Sequence, residues 1–181
     1  GKTMLAKALA CEADLPFIAV TGPQLMNMRT LRKVFRLARQ YAPSLVFIDE
    51  IDALGVRGKG GQDACINQLL AEMDGFVESR DGHVFVVAAT NFPQKVDPAL
   101  TRSGRLDLHM EVPVLDKPAR KHFLDKLQIV APNLERATLD NLASLTAGMS
   151  GADLEKLVRE AELLIFRRPE VDLTSADLLE L

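Results

Sequence analysis

At 181 residues, with 22 Lys and Arg against 25 Asp and Glu for a net charge of −3, the chain can bury a sizeable core as one domain or as a core domain with a small satellite. That balance gives no reason to expect nucleic acid or an acidic membrane surface as an obligatory partner. Two cysteines, Cys11 and Cys65, make no disulfide framework, and no apolar run nears the roughly 20 residues that cross a bilayer. A soluble segment of a reducing compartment, cytoplasmic or matrix-like, is expected, with any membrane anchor lying ahead of Gly1.

The chain opens "GKT", the tail of G-x-x-x-x-G-K-[ST]. In that loop backbone amides and the lysine cradle nucleotide phosphates while the Thr hydroxyl reaches magnesium. Three residues recur by chance, so the remainder must decide whether Lys2 is a ligand or a surface lysine. Leu5, Ala8 and Leu9 follow at helical spacing, and "LPFIAV" reads as a short buried strand from Phe17. Leu31, Val34, Phe35 and Ala38 stripe one face of the next helix, opposite Arg32, Lys33, Arg36 and Arg39. That basic face is either a solvated surface or a groove for nucleic acid.

"SLVFIDE" is a continuous apolar strand ending in acids, and Ile66, Leu69, Leu70 and Met73 mark a helix closed by Gly75. "HVFVVAATN" is a second apolar strand and "LHMEVPV" a shorter third candidate. Strands buried on both faces and alternating with helices predict an α/β fold. Its mostly parallel sheet is flanked by helices, and ligands sit outside the carboxyl ends of the strands. From Asp116 only helices follow. Leu154, Leu157, Val158, Ala161 and Ile165 form a stripe, "SGAD" and "TSAD" give capping starts at Ser150 and Thr174, and Pro169 ends the intervening helix. The expected division is a nucleotide-binding α/β unit over 1–115 and a small all-α unit over 116–181.

In "LVFIDEIDA" Asp49 and Glu50 stand together at a strand tip. Strand alternation would point them apart and give them different work, one holding magnesium and the other polarising an attacking water. Two solvated acids at a strand end are the plain alternative.

"GKT", "LVFIDEIDA", "AATNFPQKVDPAL", "RSGRLD" and "GMSGADL" stand in the order and spacing of the AAA ATPases, and the chain resembles that family over nearly its whole length. "LLAEMDGF" is most similar to FtsH-type membrane-anchored proteases, and "TGPQLMNM" is similar to peroxisomal and valosin-containing-protein-type unfoldases. The resemblance implies a P-loop NTPase sheet with a helical lid, ATP and Mg2+ as cofactors, a homo-oligomeric ring, hexameric in the family, and a polypeptide substrate without nucleic acid. It also implies roles by position. Gly1, Lys2, Thr3 and Met4 would hold the phosphates, with Lys2 on the β and γ groups, and Thr3 and Asp49 would organise magnesium. Glu50 would activate water, and Asn91 would bind that water and the γ-phosphate; Asn91 also makes sense as a turn former before Phe92-Pro93. Arg102 and Arg105 would enter the neighbouring subunit's nucleotide site. Asp74, Gly75 and Phe76 match an inter-subunit signalling segment, and Gly151 and Ala152 match the lid's approach to the adenine.

The chain also departs from the pattern. A histidine that contacts ribose in family members is replaced, by alignment, with Leu127. His83, His109 and His122 have no metal spacing, and no H-E-x-x-H is present, so any peptidase would belong to another domain. Between Gly22 and Phe35 "QLMNMRTLRKVF" leaves no aromatic-Val-Gly or aromatic-Ile-Gly pore loop, and "VRGKGGQD" and "FRRPEVD" are short. Either the protein does not thread substrates, or the encoded protein carries further residues at these places. The second is the expectation, together with a central strand and the first half of the phosphate loop ahead of Gly1.

Overall fold

Three apolar segments pair as a parallel sheet, Phe17–Thr21 (β1), Ser44–Asp49 (β2) and Val84–Ala88 (β3), in the order β1-β2-β3. Thr21 is in register with Asp49, and Ile48 with Ala88. The computed structural model describes residues 1–58, 63–75, 83–125 and 136–167. The chain divides into two compact units, Lys2–Met110 and Glu111–Leu181, with Gly1 grouped with the second.

In the first unit β2 is buried on both faces, which is why its sequence is an unbroken apolar run. Alternate residues serve two cores. Leu45 and Phe47 pack with Ala6, Ala10 and Ala89 on one face. Val46 and Ile48 pack with Leu31, Phe35, Ile66 and Leu69 on the other. Helix Lys2–Glu12 (α1) supplies the first cover. The buried residues of α1 are Ala6 and Ala10, while Leu5 and Leu9, which periodicity marks as core, are each 52% exposed. Both pairs are spaced i, i+4, so spacing alone cannot choose between them. Alanines turned inward let the helix lie close to the sheet.

The short helix Gly22–Leu25 (α2) is followed almost at once by Met28–Gln40 (α3). Asn27 caps α3 by accepting from the Arg29 and Thr30 amides at 2.9 and 3.3 Å. Leu31, Phe35 and Ala38 of α3 are buried as its stripe predicts. Two members of its basic face turn to helix Asp63–Asp74 (α4), Arg39 to Glu72 at 2.7 Å and Arg32 to Gln68 at 3.2 Å.

The expected strand "LHMEVPV" does not form. Residues 108–114 have no regular structure, and Leu108, Met110 and Val114 are 87, 78 and 63% exposed. A strand needs a neighbour for its backbone groups, and among the described residues this segment pairs with none of β1 to β3.

The second unit is helical as expected, with Lys117–Leu124 (α5), Arg136–Leu145 (α6) and Gly151–Arg167 (α7). Asp116 caps α5 through the Ala119 amide at 2.9 Å. Leu124, Leu139, Leu142, Leu154, Leu157 and Ala161 form its core. Arg120, 7% exposed, donates through Nε and Nη2 to the Ala143 carbonyl and through Nη1 to that of Leu115. The predicted cap at Ser150 is present. Its hydroxyl donates to Asp153 Oδ2 at 2.6 Å and accepts from the Asp153 amide at 3.3 Å. The side chain of Ile165, and Leu127, Pro169 and Thr174 altogether, lie outside what the structure describes.

Candidate nucleotide site at the carboxyl ends of the strands

The first turn of α1 meets the tips of β2 and β3 through two polar pairs. Lys2 Nζ donates to Asn91 Oδ1 at 2.5 Å, and Thr3 Oγ1 donates to Asp49 Oδ2 at 2.9 Å. Four residues separated by up to 89 positions in sequence are thus brought to one place. The amino end of a helix carries unpaired N–H groups and a partial positive charge, to which Lys2 adds an ammonium; this is a natural seat for phosphate oxygens.

β2 ends at Asp49, and Glu50 takes a left-handed backbone, φ 52° and ψ 45°. A non-glycine residue there costs on the order of 1–3 kcal/mol and persists only when its surroundings enforce it. Here they do. The Ile51 amide donates to the Ala89 carbonyl at 3.1 Å, the Ala89 amide to that of Ile48 at 2.8 Å, and the Ala53 amide to that of Glu50 at 3.0 Å. The two acids do differ in environment, but the cause is this turn and not the strand alternation that the sequence suggests. Asp49 accepts from Thr3 and from the Glu50 amide, whereas the exposed Glu50 carboxylate has no hydrogen-bond partner among the described residues. A carboxylate without such a partner has the chemistry of a general base.

Three further residues, Thr90, Asp52 and Gly22, shape the site without having been singled out from sequence. Thr90 Oγ1 donates to Asp52 Oδ1 at 2.5 Å and accepts from the Phe92 amide at 2.8 Å, which holds the peptide that follows Asn91. Gly22 is buried against the backbone of Glu50; a β carbon built on it would overlap the Glu50 carbonyl oxygen and lie 3.1 Å from its carbon. The Asp of "DEID", the Thr of "ATN" and the lone glycine after β1 were the available signals.

Met4 is 66% exposed on α1, and Gly1 immediately precedes that helix. Arg102 and Arg105 sit on a separate turn, where Arg105 pairs with Asp74 and Arg102 is exposed. Gly151 and Ala152 open α7 in the second unit. Phe76 lies outside the described residues. Thr3 and Asp49 offer hard oxygens suited to magnesium, and Lys2 with the start of α1 offers cationic donors suited to phosphate, so the residues present fit a magnesium nucleotide.

A parallel sheet with a lysine and a threonine at the head of a helix packed on one of its faces, and an acid pair at a strand tip, defines a P-loop nucleotide-binding module. The chain belongs to the AAA family of ATPases. The family model described as "ATPase family associated with various cellular activities (AAA)" matches residues 1–114, and that of the AAA+ lid domain matches residues 137–178. The chain is 41% identical to the ATP-dependent zinc metalloprotease FtsH of Syntrophus aciditrophicus over 193 residues, 99% of this chain and 26% of the relative. It is 43% identical to the cell division cycle protein 48 homolog of Archaeoglobus fulgidus over 191 residues, 98% of this chain and 26% of the relative. Protein SAV of Sulfolobus acidocaldarius is 44% identical over 178 residues, 92% and 23% respectively. The chain therefore spans about a quarter of the length of these curated relatives. The alignment of 193 positions exceeds the 181 residues of the chain, so that relative carries residues without a counterpart here.

Proposed function

We propose that this chain is the ATP-hydrolysing motor module of a ring-forming protein that remodels, unfolds or translocates polypeptide, in the manner of an FtsH-type ATPase segment. The observation that carries the reading is the convergence of Lys2 with Asn91 and of Thr3 with Asp49 beside a left-handed Glu50. Lys2 and the amino end of α1 would bind the β and γ phosphates of ATP. Thr3 and Asp49 would hold magnesium, which when bound neutralises phosphate charge. Glu50 would take the proton of the attacking water at its free carboxylate, and Asn91 would orient that water with its amide. Gly151 and Ala152 would give the adenine close backbone access. The turn carrying Arg102 and Arg105 would be offered to a neighbouring subunit, where an arginine in trans is worth on the order of 10³ to 10⁵ in rate. A hexamer follows from the family resemblance.

A second reading, a nucleotide-binding or structural ring subunit that does not thread substrate, is favoured by the junction of α2 and α3. Only Met26 and Asn27 separate the two helices, and Asn27 is already the cap of the second, which leaves no span for a pore loop there. The intact polar pairs weigh against it. ATP turnover per subunit by the intact parent protein across a range of concentrations, with Glu50→Gln as the blank, tests the choice. Specific activity that rises with concentration and vanishes in the variant supports the motor; turnover equal to the variant at every concentration supports the structural subunit.

A further inference from the structure

We propose that Arg105 is a positioning residue, not a second arginine finger, and that it holds the turn from which Arg102 alone reaches a neighbouring subunit's phosphates. This rests on the reading that the turn acts in trans, and divides the labour of its two arginines.

Every nitrogen of the Arg105 guanidinium is engaged within the chain. Nε and Nη2 donate to the two carboxylate oxygens of Asp74, each at 2.8 Å, and Nη1 donates to the Ala99 carbonyl at 2.7 Å. A planar fork matched to a carboxylate in this way is the strong, geometrically specific form of the interaction. The Arg105 side chain is 20% exposed. Asp74 ends α4, where a carboxylate faces the negative end of the helix dipole and is unfavourable unless paired. Its pKa is held below the ordinary carboxylate value by the hydrogen bond from Arg105. To bind a phosphate, Arg105 would have to leave Asp74 unpaired.

Ala99, whose carbonyl receives Arg105, is also held through its amide. Asp97, 2% exposed, accepts from the Ala99 amide at 2.8 Å and from the Arg57 amide and Nε at 2.8 and 3.2 Å. The Leu106 amide closes back on the Leu100 carbonyl at 3.0 Å. Arg102 stands in the resulting loop, exposed and with no side-chain partner among the described residues. Only one of the two arginines is free to meet an incoming anion, and the other ties its turn to the end of α4.

The test uses the intact ring protein, with ATP turnover and ADP affinity measured for Arg102→Ala, Asp74→Ala and the exchange D74R/R105D. Arg102→Ala should lower kcat by about 10³ or more while ADP affinity stays at the parent value. Asp74→Ala should lower kcat by about 10- to 100-fold at unchanged KM, because the turn loses its anchor. The exchange, which rebuilds the pair without a cation at 105, should restore turnover to within about tenfold of the parent.

Unchanged or raised kcat in Asp74→Ala overturns the proposal, since a finger freed from its partner would act better. So does an exchange variant that binds ADP yet is as inactive as Arg102→Ala. If the exchange does not bind ADP, Asp74→Ala decides alone by the sign of its effect. Full activity in Arg102→Ala would instead defeat the trans-arginine reading itself, a failure distinct from loss in both Arg102→Ala and the exchange.

Discussion

Gly22 lies so close to Glu50 that a β carbon on the glycine would overlap the carbonyl oxygen of the acid. The contact joins the end of β1 to the turn after β2, and no side chain takes part in it. Gly22→Ala is expected to force that turn away, at a cost of about 1–3 kcal/mol for overpacking a closed site. Urea denaturation measures the loss. Turnover should fall more than ADP affinity, because the displaced residue is the proposed proton acceptor and not a proposed phosphate ligand.

The Thr3–Asp49 hydrogen bond predicts coupled behaviour. Thr3→Ala and Asp49→Asn each should weaken ADP binding in magnesium much more than in EDTA. Their double variant should lose less than the sum of the single losses, with a coupling of about 0.5–3 kcal/mol, as for residues in direct contact. Calorimetric titration with and without magnesium checks this, and strict additivity would separate the two residues functionally.

Binding and hydrolysis should divide between Lys2 and Glu50. Lys2→Ala removes the ammonium at the head of α1 and should abolish detectable ATP binding. Glu50→Gln keeps the shape of the turn but removes the proposed proton acceptor, so turnover should fall by about 10² to 10⁴ with ATP affinity retained. Equilibrium binding and steady-state turnover on the same samples distinguish the two losses.

Asp97 gives a pH dependence with a definite sign. Burial pushes its carboxyl up, but hydrogen bonds from the Arg57 and Ala99 amides and from the Arg57 side chain outweigh burial and hold it below the usual carboxylate range. A depressed folded pKa means that the folded state binds its proton less readily than the unfolded chain. The associated stability is complete above the unfolded value of about 3.9 and is lost as pH falls through the lower folded value. Asp74, Asp140 and Asp153 are shifted the same way through Arg105, Lys121 and Ser150. Denaturation midpoints followed from neutral pH into this acid range should drop, and Asp97→Asn should flatten part of the fall while lowering stability at pH 7.

In the second unit, Arg120→Ala would strip donors from the Ala143 and Leu115 carbonyls. Hydrogen bonds from a charged donor contribute about 1.5–3 kcal/mol, so the helical unit should melt earlier by that amount. Hydrogen exchange should localise the loss to α5 and α6.

The sequence by itself determined the parallel α/β sheet, the helical character of the second unit and the cap at Ser150, and its motifs singled out Lys2, Thr3, Asp49, Glu50 and Asn91 as candidate site residues. These are local patterns: apolar runs, i, i+4 stripes and short motifs record what each segment buries or presents. Which face of α1 meets the sheet, the failure of 108–114 to become a strand, and the roles of Gly22, Asp52, Thr90 and Asp97 were decided only by tertiary structure. The same holds for the different positions of Arg102 and Arg105, which a motif treats as a pair. Each of these depends on what lies opposite in space, a pairing edge, a carbonyl or a carboxylate at the end of a distant helix, and sequence spacing carries no record of that partner.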